Sequence, residues 1–432
     1  MEESSQGQNQ DINQEVQNQQ NMDSAIEIDQ FTMSKVNVVN LKQKVIIRCT
    51  TYMIDNLFAL TDDFGNVSIY DAANYEISEF QNQYISQRVV SYSLRFYQNY
   101  AINKQDNQPI HVMCQCLFNN MIIFWNISHF MKTKQLTAYK ILFTAFHYNY
   151  DSVLLPDYNL IAVTHQNQKM LAFYCHNNNP GCLINKKISK VILNKQFDQQ
   201  IFTIQYDRRR KIIYVGLINA QILFYDMRLR RVTQIITPQA NNRYSFDSIL
   251  IPRQSSIQNI SEESINAKMV DQEYDFEYLI ISTDSGLMCI NLDQQCICTI
   301  LSGHTNQTRG QAYHKESNSI FSISCDKRIG IHPLSSLQDD QNSQNQQKKL
   351  NMFRETQLKG LCNSISLHNE HIIVVSWSGE IGHYNYKNYY KYQQSKLEEI
   401  HLLTQQYQKL QELIKENIYL KSLQQQNQQE KS

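Results

Sequence analysis

Arg208, Arg209, Arg210 and Lys211 are consecutive, and Arg228, Arg230 and Arg231 follow within one short stretch. Guanidinium forks at this density suit carboxylates and phosphates, which they hold through paired, charge-assisted hydrogen bonds. The chemistry they offer is recognition of an anionic surface. Bond-breaking chemistry has no comparable signature: there is no phosphate loop, no Gly-x-Ser-x-Gly elbow, no His-Glu-x-x-His and no kinase motif set. The twelve histidines are scattered, and the chain is not expected to be an enzyme. Cys114/Cys116 and Cys296/Cys298 are spaced Cys-x-Cys, which puts both thiols on one face of a strand. That is poor zinc geometry without a second pair. They are expected to be reduced, buried small hydrophobes, and no cofactor or metal centre is expected.

The stretch that must position the cations is Lys211 to Arg231, KIIYVGLINAQILFYDMRLRR. Two short apolar runs, Ile212 to Val215 and Ile222 to Phe224, flank a polar turn around Asn219 and close on Tyr225-Asp226. Runs this short, rich in Ile, Val, Phe and Tyr, predict two paired strands. The same signature recurs from Lys35 to about Asn388. Its closing positions are Tyr70-Asp71, Trp125-Asn126, Phe173-Tyr174, Tyr225-Asp226 and Tyr384-Asn385, with degraded copies at Ile290-Asn291 and His332-Pro333. Seven copies at spacings of about 42 to 65 residues, each with several short strands, predict an all-β, seven-bladed β-propeller.

These copies resemble the WD40-repeat family, whose repeat opens on Gly-His and closes its third strand on Trp-Asp. The fullest match is the sixth copy, with Gly303-His304 at its start, Asp326 in the turn, Ser322 or Ser324 on the second strand and His332 in the Trp place. The resemblance implies a buried hydrogen-bonded tetrad through these residues, with Tyr70, Asp71, Trp125, Tyr225, Asp226, His304, Asp326 and Tyr384 as structural positions. It covers about 350 residues. In such propellers the ring closes by strand exchange, and Lys35 to Leu41 has the alternation of an orphan strand that would complete the last blade.

The ends differ from the repeats. Residues 1–34 are Gln/Asn-rich and carry seven acids before Lys35, which predicts a disordered acidic tail. After the propeller, residues 35–390, residues 391–423 predict a helix with Ile400, Leu403, Tyr407, Leu410 and Ile414 along one stripe at 3-4 spacing. Such a stripe pairs in a coiled coil, with a second copy or another protein, or packs on the propeller flank. Residues 424–432 are expected to be a disordered tail.

With 40 basic and 40 acidic residues the formal charge is zero, so no global field draws the chain to nucleic acid or membrane. The apolar runs are too short to span a bilayer and no secretory leader pattern is present, so a cytoplasmic location is expected. In a propeller the loops holding Arg208 to Lys211 and Arg228 to Arg231 share one face. Long insertions share it: Ala101 to Pro109, Gln338 to Lys349, and Gln254 to Glu277 with its acids Glu262, Glu263, Asp271, Glu273, Asp275 and Glu277. The expectation is a non-catalytic protein-protein interaction scaffold in a multi-subunit complex, with a partner offering an acidic surface. Two narrower resemblances are present. Ile212 to Arg228 resembles the box by which WD40 substrate receptors dock on cullin-RING ubiquitin ligase adaptors, with Asn219 in place of its turn Asp. Leu229-Arg230-Arg231 is similar to the motif of phosphoinositide-binding propellers, with Val232 where that motif has Gly.

Overall fold

The computed structural model describes residues 34–41, 45–102, 107–176, 191–238, 245–253, 274–284, 286–315, 317–334, 347–349, 353–356, 358–386 and 409. Ser34–Asn385 forms one compact unit, a seven-bladed β-propeller of antiparallel sheets. In blade four the strands run Ile201–Asp207, Ile212–Leu217, Ile222–Asp226 and Arg231–Ile236 from the channel outward. The middle two are buried throughout, whereas the outer one alternates. This gradient follows from the sequence: Ile-Ile-Tyr-Val and Ile-Leu-Phe are apolar on both faces because neighbouring blades cover both. Between blades three and four, Val153, Leu171, Phe173, Val215 and Tyr225 form one apolar cluster. Each such side chain contributes about 1.5–3 kcal/mol on burial.

The ring closes through its own first strand. Ser34–Asn40 lies antiparallel to Glu380–Asn385, with Ser34 opposite Asn385 and Asn40 opposite Glu380, and completes the sheet of Cys362–His368 and His371–Ser376. Gly379, in the turn before Glu380, has φ +78°, and a Cβ there would meet the Val45 carbonyl at 2.5 Å. Close approach of backbone to backbone thus requires glycine at this seam.

Three details differ from the repeat pattern. In blade three the position equivalent to Trp125 and Tyr225 is Tyr174, one residue beyond the Phe173 expected: a bulge precedes Tyr174 just as one precedes Trp125 and Tyr225. Phe173 and Tyr174 are adjacent aromatics, so composition alone does not distinguish the two registers. In blade two the third strand, Met121–Asn126, runs directly into a helix, Ile127–Thr133, capped by the Asn126 side chain, which accepts the His129 N–H at 2.9 Å. In blade six, Gln347–Lys349 adds a parallel fifth strand to Cys296–Ser302 of blade five before Phe353–Glu355 returns as the outer strand of blade six. The helix stripe Ile400, Leu403, Tyr407, Leu410 and Ile414 lies outside the described residues, as do both tails and the acids Glu262, Glu263, Asp271 and Glu273.

Candidate binding site at the channel mouth

The innermost strand of every blade carries a bulge at its second residue. The register breaks between Ile47 and Cys49, Ser91 and Ser93, Asn149 and Ser152, Ile201 and Thr203, Ser245 and Ser248, Thr308 and Gly310, and Cys362 and Ser364. A bulge re-aims the side chain it carries, and these seven surround one mouth of the central channel. In blade order they are Arg48, Tyr92, Tyr150, Phe202, Phe246, Arg309 and Asn363.

Their contacts close into a belt. Tyr92 and Tyr150 stack at 4.6 Å, Tyr150 meets Phe202 edge-on at 4.9 Å, and Phe202 meets Phe246 edge-on at 6.3 Å. Arg309 sits over Phe246 at 4.3 Å. Trp377, from the turn after His371–Ser376, lies within 5.9 Å of both Arg309 and Arg48, and Arg48 in turn is 5.8 Å from the Tyr92 ring. Asn363 anchors Trp377 by accepting its indole N–H, and donates to the Ile47 carbonyl at 2.8 Å. Trp377 is 37% exposed, and the other members are half-buried.

Beneath the belt the channel wall is polar and tightly bonded. Arg95 donates to both Asp151 oxygens, at 3.2 and 2.7 Å, to the Ile204 carbonyl at 2.7 Å and to Gln205 at 3.3 Å. Asp151 also accepts the Ser93 hydroxyl at 2.6 Å and the Ile204 N–H at 3.0 Å. Gln205 donates onward to the Ser248 carbonyl. One network therefore ties blades two, three, four and five and lines the channel, whose cavity of about 220 Å³ extends from the belt to Arg208.

The cations singled out from the sequence lie at the opposite face, at the other end of the blade-four inner strand. Six residues of extended chain, roughly 20 Å, separate Phe202 from Arg208. Five of the seven already hold carboxylates. Arg208 and Lys211 share Asp157 at 2.8 and 2.6 Å, Arg209 pairs with Asp275 at 2.7 Å, and Arg228 pairs with Asp226 at 2.7 Å. Arg210 bridges Asp207 at 2.9 Å and Asp293 at 2.7 Å. Burial works against the Asp157 charge, but hydrogen bonds from Lys211, Arg208 and Tyr206 outweigh it and hold its carboxyl below the usual range. Arg230 and Arg231 are exposed. Asp275, at the end of the acidic insertion, thus joins the cluster rather than leaving it open.

The structural positions behave as follows. Asp326, His304, Ser322 and His332 bond in series: His304 Nδ1 to Asp326 at 3.1 Å, His304 Nε2 to Ser322 Oγ at 2.9 Å, and Ser322 Oγ to His332 Nε2 at 2.7 Å. Ser324 instead donates to the Asn306 carbonyl. In blade two Trp125 donates to Gln115 at 3.0 Å, and Gln115 holds the sheet position that Ser322 has in blade six. Tyr70, Tyr225 and Tyr384 are buried; Tyr70 bonds His383 at 2.9 Å and Tyr384 donates to the Thr356 carbonyl. Asp71 caps its turn through Ala73 and Asn74. Cys114 and Cys116 are buried, and burial pushes the Cys114 thiol up to about 12, which makes it inert. Among the described residues no cluster of His, Cys, Asp and Glu could hold a metal ion, and no helix is long and apolar enough to cross a membrane. No protein-family model matches the chain, and no curated protein matches it.

Proposed function

We propose that the protein is a non-catalytic interaction scaffold of the WD40-like propeller class, and that it engages a protein partner at the channel mouth. The observation that carries this is the belt. Seven blades of differing sequence each bulge at the same place; six of the bulges present Arg, Tyr or Phe, the seventh presents Asn363, and Trp377 joins them from a turn, so the belt is rich in residue types enriched at protein interfaces. Structural needs alone do not ask for it, since the blades are already held by their apolar clusters and by the Arg95 network beneath. The blade-four cations support the opposite face more weakly, because their charges are largely spent on Asp157, Asp207, Asp226, Asp275 and Asp293.

The test is a photo-crosslinking amino acid introduced in the full chain at Asn363, a member of the belt, and separately at Thr233 on the outer strand of blade four. The expected result is a discrete polypeptide adduct from position 363. Adducts from position 233 alone would contradict the assignment.

A further inference from the structure

We infer that the channel mouth selects an anionic side chain, carried on an extended acidic peptide segment, and that Arg48 and Arg309 are the residues that read it. This rests on the mouth being the partner site. Both guanidiniums lie within cation–π range of Trp377, on either side of the belt's only exposed ring. Among the described residues neither forms an ion pair, in contrast to the blade-four cations, and the Nε of each is buried without a hydrogen-bond partner. Arg309 Nη2 donates to Gln307 Oε1 at 2.6 Å; the remaining terminal N–H groups of the two guanidiniums are of the kind that a carboxylate or phosphate binds.

The electrostatics of the wall point the same way. Of the charged residues lining the channel, four are arginines (Arg48, Arg95, Arg208 and Arg309) and two are aspartates (Asp151 and Asp247). Asp151 is taken up by Arg95; Asp247 accepts the Ser248 N–H at 2.8 Å and is outnumbered by Arg48 and Arg309. Arg208 is balanced by Asp157. A cationic ligand is disfavoured, since Arg48 and Arg309 already occupy the aromatic faces that would attract it. A nucleic-acid strand is also disfavoured. Tyr92, Tyr150, Phe202 and Phe246 are packed against one another, which leaves them no open platform for successive bases. A peptide needs only one anionic group between the two arginines and one apolar or aromatic neighbour against Trp377.

The experiment is fluorescence anisotropy with the full chain and short labelled peptides: a Glu-rich peptide carrying one Phe, its Gln-for-Glu counterpart, and a phosphoserine counterpart. An oligouridylate of similar length is the fourth probe. The proposal expects the two anionic peptides to bind and the Gln peptide to bind at least about tenfold more weakly, with Arg48→Gln and Arg309→Gln each costing about tenfold. The ratio of the Glu to the phosphoserine affinity then tells which anion the site prefers. Arg228→Gln on the opposite face should change nothing, and unchanged melting temperatures show that the variants fold. Equal binding of Glu and Gln peptides, undiminished binding by the folded Arg48→Gln/Arg309→Gln protein, or tighter binding of the oligouridylate would overturn it. If the crosslinker at position 363 captures a partner while the anionic peptides fail, the anion assignment falls and the mouth as partner site stands.

Discussion

Arg95 of blade two and Asp151 of blade three form a two-point ion pair at 2.7 and 3.2 Å, with both side chains almost completely withdrawn from solvent. A pair so placed contributes less to stability than it loses when halved, because the remaining charge is stranded in the channel wall. Arg95→Met or Asp151→Leu alone should cost about 3–5 kcal/mol. The double variant should recover part of that loss. Chemical denaturation of the three variants checks this, and additive losses would show that the two residues act independently.

Ring closure makes a second prediction. The strand Ser34–Asn40 covers an edge of Glu380–Asn385 that would otherwise be open to pairing with another chain. A protein beginning at Ser34 should melt at a clearly higher temperature than one beginning at position 42, and the shorter form should aggregate. Calorimetry with light scattering measures both, and equal melting temperatures would remove the closing role of this strand.

Acid sensitivity follows from three buried histidines. Burial holds His165 and His383 down to about 4 and His332 to about 3, with His371 adding to the effect on His383 and His304 to that on His332. These rings are neutral in the fold but titrate near 6.5 when unfolded. The stability is therefore complete above pH 6.5 and is lost as pH falls toward 4, by on the order of 1–3 kcal/mol per histidine. His383 is bonded by Tyr70 and His371 and faces the Tyr75 ring. His383→Gln should flatten the melting-temperature profile between pH 6.5 and 4; an unchanged slope would exclude His383 as a contributor.

Ser322 links His304 to His332. Ser322→Ala leaves two buried imidazoles without their shared partner and should destabilise the protein by about 1–3 kcal/mol. Urea titration checks this, and a loss near zero would mean that the chain of bonds from Asp326 is dispensable.

The blades were legible because their third strands are marked by composition, an apolar run ending at Tyr70, Trp125, Tyr225 or Tyr384. Blade three was read one residue early because Phe173 and Tyr174 are equally aromatic. The belt was not legible, since its members share a position and not a residue type: Arg48, Tyr92, Phe202 and Asn363 align only once the bulges are known, and a bulge leaves no trace in apolar alternation. Aligning the copies on the first strand, where RCT, YSL, FTI and NSI fall together, would have given the signal. The basic stretch misled for a related reason. Asp157 is 51 residues from Arg208 and Asp293 is 83 from Arg210, so the carboxylates that neutralise the cluster are adjacent only in the folded ring. The C-terminal stripe from Ile400 to Ile414 lies outside the described residues.

Trp377 allows the channel-mouth site to be watched directly. The chain has two tryptophans, and Trp125 is buried against Gln115, so Trp125→Phe leaves Trp377 as the sole indole reporter. Titrating that protein with the Glu-rich peptide should give a saturable change in Trp377 emission, at the same midpoint as the anisotropy change. The response should disappear in the Arg48→Gln/Arg309→Gln background. Peptide binding seen by anisotropy with Trp377 emission unchanged would place the partner elsewhere and contradict the central claim.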